Sequence, residues 1–243
     1  MRDSVTVLRA AAGTGEARFT CLVPAYNEAD RIAAVLAAVV GHPMLSEVIV
    51  IDDGSSDGTG AVARKCGARV IRTAGNLGKT GALLRGLAEV STSHVVLIDA
   101  DLSGLTHQAV SALIRPVLLG RAGAAISLRG NAPRTWQMIG IDYISGERVI
   151  PRAVLAGHEA ELRALPRFGF EVFLNQLLVT QGARIAVVRW PGVASPSKRI
   201  KRGIGPGIWA DVRMIADIFR AVGPMNCLRQ IRALIRLRLP NGS

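Results

Sequence analysis

The chain has 243 residues, 49% of them hydrophobic and 20% charged, a balance outside the disordered class and enough for one large domain or one and a half at about 150 residues per domain. Its net charge of +12 is lopsided: residues 1–183 hold 18 Lys/Arg against 16 Asp/Glu, and residues 184–243 hold 12 against 2. The longest stretch without Asp, Glu, Lys or Arg, Ile32–Ser46, has 15 residues and contains Gly41 and Pro43, short of the roughly 18 of a membrane span, so no transmembrane helix is expected.

The first 17 residues have weak periodicity and are read as a loose leader. Arg2 and Asp3 precede no continuous apolar run, so a secretory signal is not expected. Cys21, Cys66 and Cys227 are too scattered for a disulfide framework or a zinc site, which favours a reducing cytosol. From Phe19 the pattern becomes regular. Phe19–Val23 predicts a strand, and Ile32–Val40 recurs at helical spacing. Val48–Ile51, Arg69–Ile71 and His94–Ile98 predict further strands, separated by helices over Gly58–Cys66 and Gly78–Val90. Apolar strands alternating with helices predict an α/β fold whose mainly parallel central sheet is flanked by helices. Ligands of such sheets sit beyond the carboxyl ends of the strands. The polar loops PAYNE (Pro24–Glu28), DDGSSDGT (Asp52–Thr59), GNLGKTG (Gly75–Gly81) and DADLS (Asp99–Ser103) all follow strands and converge there.

In the last of these loops Asp99 and Asp101 are one residue apart, which on extended backbone points both carboxylates the same way, about 6.5–7 Å between Cα atoms. Two hard oxygen donors suit Mg2+ or Mn2+, with substrate phosphates completing the shell. The alternative is an aspartate turn capping a helix from Thr106. In the second loop Asp57 is a helix cap and Asp53 is left free for the base or ribose of a nucleotide. Gly78-Lys79-Thr80 is not a Walker phosphate loop, because the required glycine five positions before Gly78 is Thr73. No GxGxxG is present either, which weakens a nicotinamide enzyme.

Taken in order, PAYNE, IDDGSSDGT, GNLGKTGAL and DADLS resemble the nucleotide-sugar half of family 2 glycosyltransferases of the GT-A type, over roughly Thr20–Ser103. Leu128-Arg129-Gly130 is similar to the family's arginine after the next strand. Ser145-Gly146-Glu147-Arg148 resembles the SGFR segment of polyprenyl-phosphate mannosyl- and glucosyltransferases, the group of the dolichol-phosphate mannose synthases, and Phe168-Gly169-Phe170-Glu171 resembles their glycine-aromatic-glutamate helix start. The resemblance implies a GT-A fold in which Pro24, Tyr26, Glu28, Ile51 and Asp53 hold the base and ribose of the donor. Lys79, Asp99, Ala100 and Asp101 would hold the sugar diphosphate, with Asp99 and Asp101 as metal ligands for Mg2+ or Mn2+. Arg129, Arg148, Lys198 and Arg202 are candidate partners for donor and acceptor phosphates. Asp101, Arg148 and Glu171 are the candidate catalytic residues. Ser103 stands where the synthase pattern often has Gln, and Glu147 where it has Phe.

The implied reaction is an inverting transfer. An acceptor phosphate, already ionised near neutral pH, needs no strong base, whereas a hydroxyl does, with Glu171 first and Asp142 second as candidates. Residues 18–190 are read as the catalytic domain and 191–243 as a basic loop with amphipathic helices. Ser195–Gly203 concentrates Lys198, Arg199, Lys201 and Arg202, and Leu228, Ile231 and Ile235 form an apolar stripe beside Arg229, Arg232 and Arg236. Such a stripe fits a helix in an anionic lipid interface, with Trp209 as a headgroup anchor. The expected function is hexose transfer from a GDP- or UDP-sugar to a polyprenyl phosphate by an enzyme peripheral on the cytosolic membrane face. Two alternatives stand beside it: the same donor chemistry on a soluble phosphorylated acceptor such as a glycerate-type molecule, and a non-catalytic basic module binding membrane or nucleic acid. The basic loop lacks interleaved aromatics, so nucleic acid is not an expected partner.

Overall fold

The computed structural model describes residues 17–165, 169–195 and 223–240. Seven strands form one sheet: β1 (Phe19–Ala25), β2 (Glu47–Asp52), β3 (Arg69–Arg72), β4 (His94–Leu97), β5 (Ala124–Arg129), β6 (Arg148–Pro151) and β7 (Ile185–Trp190). Their order is β3-β2-β1-β4-β6-β5-β7. Only β6 runs antiparallel, between β4 and β5. The helices are α1 (Ala29–Val39), α2 (Thr59–Lys65), α3 (Gly78–Leu87), α4 (His107–Leu118), α5 (Arg134–Ile139), α6 (Glu159–Arg163), α7 (Gly169–Thr180) and α8 (Pro224–Leu237).

Strand alternation divides the core into two layers. Leu22, Ile49, Ile51, Leu97, Ile126 and Ile150 face Leu83 of α3, Leu174 and Leu178 of α7 and Leu234 of α8. Cys21, Val23, Val50, Val96 and Val149 face Ile32, Leu36, Val110 and Ile114 of α1 and α4. Both faces are thus covered, which is why these strands read as continuous apolar runs. Strand β1 continues through Pro24, which pairs with Ile51. Proline is tolerated there because the pairing of β1 with β4 ends at Leu22–Leu97, so no ladder donor is lost on that side.

The inserted strand β6 begins at Arg148, the last residue of the segment read from sequence as the SGFR-like site, where no strand is expected. Helix α8 packs against α7, and its inner face, Cys227, Gln230 and Leu234, is buried. Tyr143 donates its hydroxyl hydrogen to Gln230 Oε1 at 2.6 Å, and Leu239 N–H donates to Ile185 O at 2.8 Å. The C-terminal residues 223–240 therefore share the core of the sheet domain. Among the described residues no helix is long and apolar enough to cross a membrane. The leader residues 1–16, the basic segment with Lys198 and Arg202, and Trp209 lie outside the described residues.

Candidate active site

The four polar loops meet at the carboxyl ends of β1, β2, β3 and β4, and enclose a cavity of about 550 Å³. Backbone amides and short side chains join the loops to one another. Asn27, at φ 54°, directs Oδ1 to the Ser56 N–H at 2.9 Å, while its own N–H donates to Ser55 Oγ at 3.0 Å. Glu28 N–H donates to Thr59 Oγ1. Asp57 accepts from Ala29 N–H with one oxygen and from Thr59 N–H with the other, each at 3.0 Å, so one carboxylate serves the first turns of both α1 and α2. Burial raises its pKa, but the hydrogen bonds from Thr59 and Ala29 outweigh that and hold it below the ordinary value.

Asp52 is fully buried, with Oδ1 accepting from Ser55 N–H at 2.9 Å and Oδ2 paired with Arg72 at 2.8 Å. It braces the second loop. Asp53, expected free, is already engaged: it accepts from Leu77 N–H at 2.9 Å and from Gly78 N–H at 2.8 Å. The amides at the start of α3 are unpaired donors, and a carboxylate there also complements the helix dipole. Asp53 thus anchors the third loop while still lining the cavity.

Lys79, on the first turn of α3, bridges two acids across the cavity: Nζ lies 2.7 Å from Asp99 Oδ1 and 2.9 Å from Glu171 Oε1. Burial lowers the ammonium pKa, but both carboxylates outweigh it and the net shift is upward, so the group stays cationic. Burial likewise raises the Asp99 pKa and is outweighed by Lys79, leaving Asp99 below the usual carboxylate range. Gly146 lies against this pair. A Cβ there would come within 2.6 Å of Lys79 Nζ and 2.5 Å of Asp99 Oδ2, so any larger residue has to displace the ends of that ion pair. Behind Asp99 lies fully buried Glu147, its Oε2 accepting from Ser127 Oγ at 2.7 Å and Ser145 Oγ at 2.9 Å. Burial pushes the Glu147 carboxyl up, Arg129 opposes, and Asp99 adds to the rise.

Pro24, Tyr26, Glu28, Asp53, Lys79, Asp99, Ala100, Asp101 and Glu171 all line the one cavity. Other expected residues do not. Ile51 is fully buried against α3 at Gly86 and offers no atom to a ligand. Arg129 is turned to Asp142 Oδ2 at 3.3 Å and Glu147 Oε1 at 3.5 Å beneath the cavity, which also makes buried Asp142 an ion-pair partner and not a surface base. Arg148 requires the largest correction. Its guanidinium is fully buried and donates to Ser145 O at 2.7 Å, Asn175 Oδ1 at 2.6 Å and Tyr143 O at 3.1 Å. Burial lowers its pKa against the neighbouring carboxylates. An arginine so enclosed reaches no acceptor phosphate; it joins β6 to α7.

Sequence reasoning missed Leu77, which lines the same cavity as Tyr26 and is 58% exposed, Tyr26 being 47% exposed. The signal was the apolar residue inside an otherwise polar loop. Asn76, Thr80, Leu165 and Phe170 also line the cavity. Thr106 caps α4 with its own Oγ1, accepting from Ala109 N–H at 3.1 Å, so the aspartates of DADLS are not needed as caps. Ser103 pairs through its backbone with Ala194, tying this loop to the segment that follows β7.

A divalent cation fits this donor set. Asp99 and Asp101 present hard oxygen donors to this cavity, and no group of three or more Asp, Glu, His or Cys able to hold a metal occurs among the described residues. Two protein carboxylates with the remaining positions left to phosphate and water is the usual arrangement for Mg2+ at phosphorylated substrates.

A parallel sheet broken by one antiparallel strand, with a DxD loop beyond β4 and a nucleotide-sized cavity beside it, is the GT-A architecture of nucleotide-sugar transferases. Residues 20–137 match the model of glycosyl transferase family 2. Among curated proteins, the 4,4'-diaponeurosporenoate glycosyltransferase of Staphylococcus aureus strain MRSA252 is 36% identical over 100 residues, 39% of this chain and 27% of that protein. The chain thus spans about a quarter of the length of the curated relatives it matches. Among solved structures, glucosyl-3-phosphoglycerate synthase from Mycobacterium tuberculosis with Mn2+, UDP and glucosyl-3-phosphoglycerate superposes with a TM-score of 0.68 at 26% identity, covering 90% of this chain and 84% of that one. The same enzyme with phosphoglyceric acid gives 0.64 at 27% identity, covering 81% and 77%, and with Mg2+ and UDP gives 0.64 at 26% over the same shares.

Proposed function

We propose that the chain is a divalent-metal-dependent hexosyltransferase that moves a hexose with inversion from a UDP- or GDP-sugar to a phosphate-bearing acceptor. The observation that carries the reading is the joint presence, in one cavity, of an apolar pair (Tyr26 and Leu77), a DxD carboxylate pair (Asp99 and Asp101) and a lysine held cationic (Lys79). The apolar pair suits a nucleobase, which stacks on aromatic faces. Lys79 suits the diphosphate: it exchanges a carboxylate partner for phosphate oxygens and compensates the charge that grows on the leaving group. A divalent cation bound by Asp99 and Asp101 supplies further charge compensation at the diphosphate. Glu171, on the first turn of α7, accepts a proton if the attacking group is a hydroxyl. For an ionised phosphate it only orients Lys79.

Two acceptor classes each have support. A polyprenyl phosphate, with the protein peripheral on the cytosolic membrane face, is favoured by the outer side of α8. Met225, Leu228 and Ile235 are 63%, 49% and 37% exposed there, beside exposed Arg229, Arg232 and Arg236 on a helix with no acidic residue. An apolar stripe flanked by arginines suits an anionic lipid surface. A soluble phosphorylated carboxylate is favoured by the solved relatives crystallised with phosphoglyceric acid. Incubation with labelled UDP- and GDP-hexoses, Mn2+ or Mg2+, and each acceptor, followed by solvent extraction, separates the two. Label in the organic phase supports the lipid, label in a phosphatase-sensitive aqueous product supports the soluble acceptor, and no transfer to either rejects the proposal.

A further inference from the structure

A second cavity of about 560 Å³ opens at the other end of the sheet, where α3 finishes, β4 begins and antiparallel β6 ends. Its floor is apolar: Leu84 and Leu87 from the last turns of α3, and Leu155 and Leu162 from the segment running into α6. Leu155 and Leu162 are buried, and Leu84 and Leu87 are half-buried. Its rim carries the exposed side chains of Arg152 and Arg163, with Glu159 beside them.

Several surface arginines of the described residues are paired with acids. Arg31 holds Glu28, Arg69 holds Glu47 and Glu89, and Arg85 holds Glu89. Arg152 and Arg163 make no side-chain hydrogen bond or ion pair among the described residues. Nor does Glu159 take either of them: it accepts from the Gly157 N–H at 3.4 Å. Two guanidiniums without partners therefore overhang an apolar basin. Guanidinium recognises carboxylate and phosphate by paired, charge-assisted hydrogen bonds, and a basin of this size lies in the range of small-molecule sites. Two arginines against one glutamate leave the rim one positive charge in excess, which suits a single anionic head and disfavours a polyphosphate. The cavity also lacks an aromatic side chain for a base and a carboxylate pair for a metal, so it does not duplicate the donor site.

We propose that this cavity binds a small amphipathic anion, an alkyl or aryl body ending in one phosphate or carboxylate group. The apolar body lies on Leu84, Leu87, Leu155 and Leu162, and the head is held by Arg152 and Arg163. The proposal does not rest on the glycosyl-transfer reading.

The test is hydrogen–deuterium exchange of the full chain, read by mass spectrometry, with octyl phosphate, octanoate or octanol below their aggregation concentrations. Octyl phosphate or octanoate slows exchange in peptides covering 84–88 and 152–163. Octanol binds at least about tenfold more weakly, as does octyl phosphate to the Arg152→Ala/Arg163→Ala variant, the loss expected for two charge-assisted bonds. Both arginines are exposed, so the variant folds, and circular dichroism checks that it does. The tighter of the two anions identifies the head group. Protection absent from those peptides, protection confined to the donor cavity, equal binding of octanol, or unchanged binding by the double variant each overturns the proposal.

Discussion

Arginine 148 is the sharpest test, because its place in the sequence argues for phosphate binding and its place in the fold argues for architecture. The change Arg148→Ala removes three donated hydrogen bonds and leaves the carbonyl of Ser145 and Oδ1 of Asn175 short of a donor in a site closed to water, while Tyr143 O keeps the Asn175 amide at 2.8 Å. It also removes one of the cations near Glu147, Asp142 and Glu171, which keep their pairs with Arg129 and Lys79. Charge-assisted hydrogen bonds contribute about 1.5–3 kcal/mol each. They are not additive, and the cost of burying the guanidinium is recovered on removal, so the net loss is about 3–5 kcal/mol, as for other broken buried charge networks. For a chain of this size that lowers Tm by roughly 6–20 °C. The assay is urea unfolding and thermal melting, with UDP–Mn2+ affinity and acceptor KM measured well below the melting range. Stability falls while both ligand constants stay within about threefold of wild type. Unchanged stability with a raised acceptor KM would refute the structural assignment and restore Arg148 to the acceptor site.

Four further outcomes are expected. Asp99→Asn and Asp101→Asn each lower hexosyl transfer by at least about 100-fold, and EDTA abolishes it in the wild type until Mn2+ or Mg2+ is restored; transfer insensitive to EDTA contradicts the metal assignment. Leu77→Ala and Tyr26→Ala each weaken UDP binding by roughly 5- to 30-fold in calorimetry, the loss of one stacking or apolar contact of about 1–2 kcal/mol, whereas Tyr26→Phe is near neutral. Asp57→Ala destabilises by about 1–2 kcal/mol at pH 7 through the loss of hydrogen bonds to two helix starts. Because the folded-state pKa of Asp57 is depressed, its stabilisation is fully present above the unfolded value of about 3.9 and disappears as pH falls through the folded value; melting curves of wild type and variant should converge below about pH 4. Finally, Leu228→Asp/Ile235→Asp reduces cosedimentation with phosphatidylglycerol vesicles several-fold while leaving UDP affinity intact, and equal binding by variant and wild type removes the support that α8 lends to a lipid acceptor.

The parallel part of the sheet and the cavity loops were legible in the chain itself, for a local reason. Strands buried on both faces must be apolar throughout, and the loops beyond them must carry the polar chemistry, so β1, β2, β3 and β4 and the motifs from Pro24 to Ser103 stand out one after another. Residue type and spacing alone bring Asp99, Asp101, Lys79 and Tyr26 to one end of the sheet. What needed the tertiary structure was which polar side chain faces inward. Arg129, Asp142, Glu147 and Arg148 look like surface chemistry when read along the chain, yet the insertion of β6 between β4 and β5 turns them into a buried network whose charges satisfy one another. The ion pairs of Arg129 and the Arg148–Asn175 bond span 13 to 27 residues, so no local pattern announces them. Asp53 likewise looked available for a ligand until the amides of Leu77 and Gly78 were found against it. Composition and spacing decide which groups a segment carries; whether a group meets water, a ligand or another side chain depends on contacts between distant segments, which only the folded chain makes.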